Sequence, residues 1–415
     1  MATKNEGVRE DPIKQINVHT DTRDILAHAR RDAEKRKLED YLIVDVDSHH
    51  TETASWHEII EYIEDPVVRA SAKEYQSIRT GSPPYGLSGD LGLKYQGVGG
   101  RIPHNDNRLE KVDEADVHRD VVLTRRAIES FGFDYMVVFP TPMLFLGTHP
   151  QPEMEVLLGT AYNRWLAERL LPGDDRIKSF WYLPFNNPEA CLRTIEEFSD
   201  VKGGVGFAIT SARYKPVHHN YYMKVYSALE ERGMPLCFHA GYYWQDSSMS
   251  QINRFIGMHA LGFVLCNLVH MTNWVLNGLP ERFPKLQTIW IESGLAWIPF
   301  LMQRLDHEYL MRTSEAPLLK KLPSEYMREM YYTSQPLEDN HRKALELTFE
   351  MINAETQLLY SSDWPHWDFD PPSAIFDLPF LSEQAKRNIL GENARRLLRL
   401  NEPRYRRKTP LPFNE

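Results

Sequence analysis

The sequence predicts an α/β protein in which parallel strands close into a (β/α)8 barrel. Three observations carry this. Eight short apolar runs follow one another from about residue 41, amphipathic helical stretches separate them, and no glycine-rich dinucleotide loop follows the first run. The pattern is that of a TIM barrel, with an N-terminal helical arm and a long insertion after strand 1.

The arm is residues 1–40, highly charged and ending in the helical stretch "RDILAHARRDAEKRKLEDY", a surface or subunit-contact element without chemistry. The barrel domain is residues 41–400. Its runs are "YLIVDVDSH", "DYMVVFPTP", "IKSFWYLPF", "GGVGFAIT", "MPLCFHAG", "LQTIWIESG", "MYYTSQ" and "QLLYSSDWPH". Stretches such as "PEMEVLLGTAYNRWLAERLL" and "YYMKVYSALEERG" supply the crossovers that parallel neighbours require. Residues 73–116, rich in Gly, Pro and polar residues, interrupt the alternation after strand 1, where a lid or subunit-contact loop belongs. Residues 401–415 form a tail.

The whole chain excludes several classes of function. Its 415 residues and 42% hydrophobic content suit a globular protein with a sizeable core. A net charge of -10, with no basic stripe, argues against nucleic-acid binding. The N-terminus lacks the apolar core of a secretory signal, and no apolar run approaches the ~18 residues of a membrane span. A cytoplasmic protein that binds no membrane is the expectation. Three separated cysteines support neither a disulfide framework nor a cysteine zinc site, so any metal must rely on His, Asp and Glu.

Such residues recur at the strand ends. In a strand, alternate side chains share a face, which sets Asp45, Asp47 and His49 together and Val46, Ser48 and His50 opposite. His239 ends the fifth run, Glu292 the sixth, and Asp363 and His366 follow the eighth. Burying one charge there is costly, whereas a divalent cation compensates several at once. Imidazoles mixed with carboxylates suit Zn, Mn, Fe or Co. Glu52 is a further candidate ligand, with a helix cap before "TASWHEII" as its ordinary alternative. His366 has a packing role between Trp364 and Trp367 as its alternative. His259 and His270, in an apolar helical stretch, read as packed histidines. His218, His219, Arg213, Lys215 and Arg254 are candidate substrate contacts, and Tyr242, Tyr243, Trp244, Trp364 and Trp367 candidate walls.

"DVDSH", "FHAG", "ERFPKLQTIWIESGLAWIPFLMQRLD", "YSSDWPHWD" and "ILGENARRLLRL" together resemble the amidohydrolase superfamily, over about residues 41–400. The resemblance is to its second subgroup, which includes metal-dependent decarboxylases of aminocarboxymuconate semialdehyde and hydroxybenzoates. It implies metal ligands at Asp47, His49, His239 and Asp363. Two departures stand out: Asp47 replaces the first histidine of the usual His-x-His pair, and Glu292 stands where those decarboxylases typically place an acid/base histidine. Strand 4 also lacks the lysine that other members carbamylate to bridge two metals. With Glu52 and Glu292 added, the carboxylates resemble those of the superfamily's non-haem dinuclear oxygenases.

Three functions are therefore expected to compete. The first is a dinuclear Mn/Fe or di-iron, O2-dependent hydroxylase of a small aliphatic, carboxylate-bearing substrate. Asp47, His49, Glu52, His239, Glu292 and Asp363 would hold the metals, and His366 would bind metal or relay protons. The second is a mononuclear Zn or Mn hydrolase or decarboxylase of a small organic acid, with Glu292 carrying protons. The third is a metal-bound structural subunit. A homo- or hetero-oligomer is expected from the resemblance.

Overall fold

The computed structural model describes residues 22–78, 116–210, 215–239 and 248–401, with Val112 and Gly241. Most of the 73–116 insertion and nearly all of the 401–415 tail lie outside the described residues, as do Arg213, Tyr242, Tyr243 and Trp244.

Eight parallel strands form one sheet in sequence order: β1 (Val44–His50), β2 (Tyr135–Pro140), β3 (Ile177–Tyr182), β4 (Gly204–Ile209), β5 (Leu236–His239), β6 (Thr288–Ile291), β7 (Tyr331–Thr333) and β8 (Leu358–Leu359). Each coincides with one of the runs read from the sequence. The longer helices are α1 (Thr22–Arg36), α2 (Pro66–Ile78), α3 (Arg119–Phe131), α4 (Pro152–Trp165), α5 (Pro188–Phe198), α6 (Met223–Arg232), α7 (Phe255–Leu276), α8 (Trp297–Met311) and α9 (Arg342–Met351). The two ends of the sheet meet through backbone bonds from Val46 N–H to Tyr360 O, Asp363 N–H to Asp47 O, and His49 N–H to Trp364 O. The architecture is a (β/α)8 TIM barrel.

Two apolar layers follow from strand alternation. Val44, Val46, Val137, Phe139, Phe180, Cys237, Ile289, Ile291 and Leu359 fill the barrel. A larger cluster, including Trp165, Trp181, Tyr226, Trp274 and Trp290, packs strands against helices. α4 shows how a helix is registered on the sheet: Asn163 donates to Tyr182 O and accepts from Tyr182 N–H, each at 2.9 Å.

The β1 register corrects the simple alternation. Between Asp45 and Ser48 the pairing to β2 shifts, a bulge with one extra β1 residue. Val44 and Val46 line the apolar interior below it, and Asp47 and His49 reach the polar mouth above. Asp45 turns instead to the chain after β8, where its carboxylate accepts Ser362 N–H at 2.8 Å and the Ser362 hydroxyl at 2.5 Å.

α7 is also a correction. It is 22 residues long and contains an 18-residue stretch of mean hydropathy 1.5, long and apolar enough by composition to cross a membrane. Its Asn267 is fully buried and donates to Ile291 O and the Ser293 hydroxyl at the end of β6. That anchoring makes it a barrel helix.

Asp45 thus ties the first strand to the last. Replacing it with alanine leaves buried Ser362 groups without an acceptor, and is expected to lower unfolding free energy by about 3 kcal/mol. Equilibrium urea denaturation checks this; a loss below about 1 kcal/mol would contradict the closing role.

Candidate metal centre

Six of the sequence-derived residues converge at the carboxyl ends of the strands. His49 Nε2 lies 3.2 Å from Asp363 Oδ1, 3.5 Å from Asp47 Oδ1 and 3.8 Å from Glu292 Oε2. His239 Nε2 lies 3.2 Å from Glu292 Oε2, 3.3 Å from Asp47 Oδ1 and 3.4 Å from His49 Nε2. His366 Nδ1 lies 2.7 Å from Asp363 Oδ1, and its ring packs 4.3 Å from that of His49. The donors form two groups that share His49: Asp47, His49, His239 and Glu292, and His49, Asp363 and His366.

These side chains are 0–5% exposed. Neither Asp47 oxygen accepts a hydrogen bond, and neither does Glu292 Oε2, although such buried atoms ordinarily find partners. Mixed imidazole and carboxylate donors aimed at one point fit a divalent transition metal. Outer contacts aim them: His49 Nδ1 sits 3.0 Å from Pro140 O, so this nitrogen carries the proton donated to the carbonyl and Nε2 faces the cluster. Gln335 Nε2 donates to Asp363 Oδ2 at 3.4 Å, and Glu292 N–H donates to Thr333 Oγ1 at 3.1 Å. Glu292 and Asp363 hold left-handed backbone, with φ of 50° and 59°. Strain in two non-glycine residues at strand ends is typical of functional sites, and here it turns both carboxylates across the barrel mouth.

Without a cation the charges rearrange their protons. Burial raises Glu292 well above the usual carboxylate range, reinforced by Asp363 and Asp47. Asp363 is pushed up to about 6, chiefly by burial. Burial acts upward on Asp47 too, but His239 and His49 outweigh it and hold that carboxyl low. Burial would depress His49, yet Asp363 and Asp47 raise it to about 10. Burial pushes His366 well down.

Glu52 is not brought to the cluster. Its carboxylate is fully buried and engaged elsewhere, Oε2 accepting Thr141 N–H at 2.9 Å and Oε1 accepting Met143 N–H at 2.7 Å. The bulge and the turn after His50 carry it to the end of β2, which corrects its reading as a ligand. His270 is half-buried against Phe238 and lowered to about 4 by desolvation, in keeping with packing. His259, read the same way, packs against Phe255, Phe263 and Trp367 and also approaches Asp368 Oδ2 at 3.8 Å, beside the site. Trp364 belongs to the core, edge-on to Phe131 and Phe369. Lys215, His219 and Arg254 are exposed, and His218 is half-buried. Sequence reasoning missed Gln335 and Asp368; the second acid of "DWPHWD" was a visible signal for the latter, whereas nothing marked Gln335.

The family model described as amidohydrolase matches residues 115–400. The chain belongs to the amidohydrolase family. Within the superfamily it falls in the second subgroup, and it is a metal-dependent enzyme of that superfamily. It is similar to the gamma-resorcylate decarboxylase of Polaromonas sp. (strain JS666 / ATCC BAA-500), 25% identical over 254 residues that cover 58% of this chain and 75% of the relative. Among solved structures, the 5-carboxyvanillate decarboxylase from Sphingomonas paucimobilis superposes with TM-score 0.61 at 20% identity, covering 87% of this chain and 100% of that one. A dihydroxybenzoic acid decarboxylase from Polaromonas sp. JS666, with bound manganese and an inhibitor, gives TM-score 0.59 at 18% identity, covering 87% and 97%. These two share the barrel fold with the amidohydrolase described here.

Metal ligands bind deprotonated, so a cation must displace the protons held by His49 and Asp363. The expected sign is weaker binding as pH falls: Mn2+ affinity drops about tenfold or more from pH 7 to pH 5, through the pKa of Asp363 at about 6. Isothermal titration across that range measures it; affinity independent of pH would count against these ligands.

Proposed function

We propose that this amidohydrolase is a metal-dependent decarboxylase of a small aromatic carboxylic acid. The observation that carries the reading is the buried donor set of Asp47, His49, His239 and Asp363 with an acid, Glu292, in the same mouth. The decarboxylases named above support it by similarity. The reaction is non-oxidative: the bond between ring carbon and carboxylate breaks, CO2 leaves, and a proton takes its place on the carbon.

The chain's residues divide that work. Asp47, His49, His239 and Asp363 would hold the ion, which when bound supplies a positive charge that polarises substrate oxygens. Burial raises the Glu292 carboxyl well above the usual carboxylate range, which favours its acid form, and a carboxyl would then perform at this position the acid role that resembling decarboxylases give to histidine. Gln335 and His366 orient Asp363 through its two oxygens. Trp367 and His259 form an aromatic wall beside the mouth.

A second reading is favoured by the two donor groups sharing His49, which offer more ligands than one tetrahedral ion needs. It is a dinuclear Mn/Fe or di-iron hydroxylase that uses O2 on a small aliphatic carboxylate. One comparison separates the two. With Mn2+-loaded protein and a panel of hydroxybenzoates, CO2 release is expected at equal rates under argon and in air, and Glu292→Gln is expected to lower kcat about 100-fold or more. Turnover that stops under argon, with O2 uptake matching product and two ions per chain, would establish the second reading instead.

A further inference from the structure

We propose that Glu52 is a positioning residue for His49, acting on the metal centre through the turn that follows β2; this rests on the reading of the cluster as a metal site. The turn has the sequence Pro140, Thr141, Pro142, Met143. Pro142 has no N–H, and Thr141, which precedes the short helical segment Pro142–Thr148, makes no capping bond with its own side chain. The N–H groups of Thr141 and Met143 therefore point away from the segment, and Glu52 accepts both, one per carboxylate oxygen, at 2.9 and 2.7 Å. Thr141 is held a second time, its hydroxyl donating to His50 O at 3.0 Å.

The atom this arrangement fixes is the carbonyl of Pro140, one bond before Thr141. It accepts the Nδ1 proton of His49 at 3.0 Å. That bond selects the tautomer whose Nε2 lone pair faces Asp47, His239, Glu292 and Asp363, and it fixes the ring plane. Glu52, two bonded contacts away, thus sets the direction of the one donor that both groups of the cluster share. The neighbouring residue is pinned independently: His50 Nε2 lies 2.8 Å from the Tyr162 hydroxyl, and its Nδ1 3.3 Å from Asp120. With the strand held on that side, the freedom that remains for His49 is rotation of its ring, which the Pro140 carbonyl removes. A carboxylate with two acceptor oxygens is what the geometry requires; an amide would turn an N–H toward one of the two backbone N–H groups.

A residue that only stabilises the fold would not selectively change metal affinity, which gives the test its control. Asp134 accepts Ile43 N–H at 2.9 Å at the opposite end of the same strand pair, far from the cluster in register. Metal-stripped wild type, Glu52→Gln, Asp134→Asn and His49→Ala are titrated with Mn2+ at fixed pH, with free Mn2+ read by electron paramagnetic resonance and Tm recorded for each. Expected is a Kd at least about tenfold higher for Glu52→Gln than for wild type, with Asp134→Asn within about twofold of wild type. A Glu52→Gln Kd within twofold of that of Asp134→Asn would overturn the positioning role while leaving the metal centre intact. If His49→Ala binds Mn2+ as wild type does, the metal-centre reading itself fails, and this proposal with it. Should Glu52→Gln not fold, Glu52→Asp, which keeps both acceptors on a shorter arm, replaces it under the same criteria.

Discussion

Charge compensation is the constraint on which the rest depends. Asp47, Glu292, Asp363, His49, His239 and His366 are all essentially removed from water, and their charged groups face one another. A carboxylate moved alone into such surroundings loses several kcal/mol of hydration, and like charges beside it add to the cost. The protein alone meets this by shifting proton affinities: the Glu292 carboxyl is raised well above its usual range, and an imidazolium is favoured at His49. A divalent cation meets it by neutralising several groups at once, which accounts for the Asp47 oxygens and Glu292 Oε2 facing inward without hydrogen-bond partners.

The barrel is built to hold that arrangement open. Its first and last strands are joined at the level of the site, through Asp45 to Ser362 and through the backbone bonds of Asp47 and His49 with the chain after β8. β8 itself has two residues, because the chain beyond it leaves the ladder to carry Asp363 and His366 over the mouth. Left-handed backbone at Glu292 and Asp363 is tolerated because neighbours over-determine it: the Thr333 hydroxyl accepts the Glu292 N–H, and the Asp47 carbonyl accepts that of Asp363. Strain and unpaired charge lie within the same few residues, where ligand binding can offset both.

Much of this was legible in the sequence because β/α alternation is a one-dimensional signal. The eight apolar runs became the eight strands, and the ionisable residue ending four of them marked the site without any knowledge of packing. What was hidden depends on departures from period two or on contacts remote in the chain. The β1 bulge separates Asp45 from Asp47 and His49 and sends Glu52 to the β2 turn, and no local propensity announces a single extra residue. His366 was undecided between packing and ligation, and its ring contact with His49 and its bond to Asp363 depend on the fold around β8 rather than on the neighbouring tryptophans. Gln335 was invisible because glutamine before proline is an ordinary turn element; only the meeting of β7 and β8 sets its amide against Asp363. The apolar length of α7 was underestimated because Asn267 and two histidines interrupt it.

The central claim is that the residues gathered at the barrel mouth bind a divalent transition metal. Anomalous diffraction from crystals of protein purified without chelator, collected on both sides of the Mn, Fe and Zn edges, tests it most directly. An anomalous peak is expected within coordination distance of His49, His239 and Asp363, with Glu292 or Asp47 completing the shell. A barrel mouth with no anomalous scatterer after incubation with all three metals, and with ordered water or Glu292 and His49 paired across it, would contradict the account.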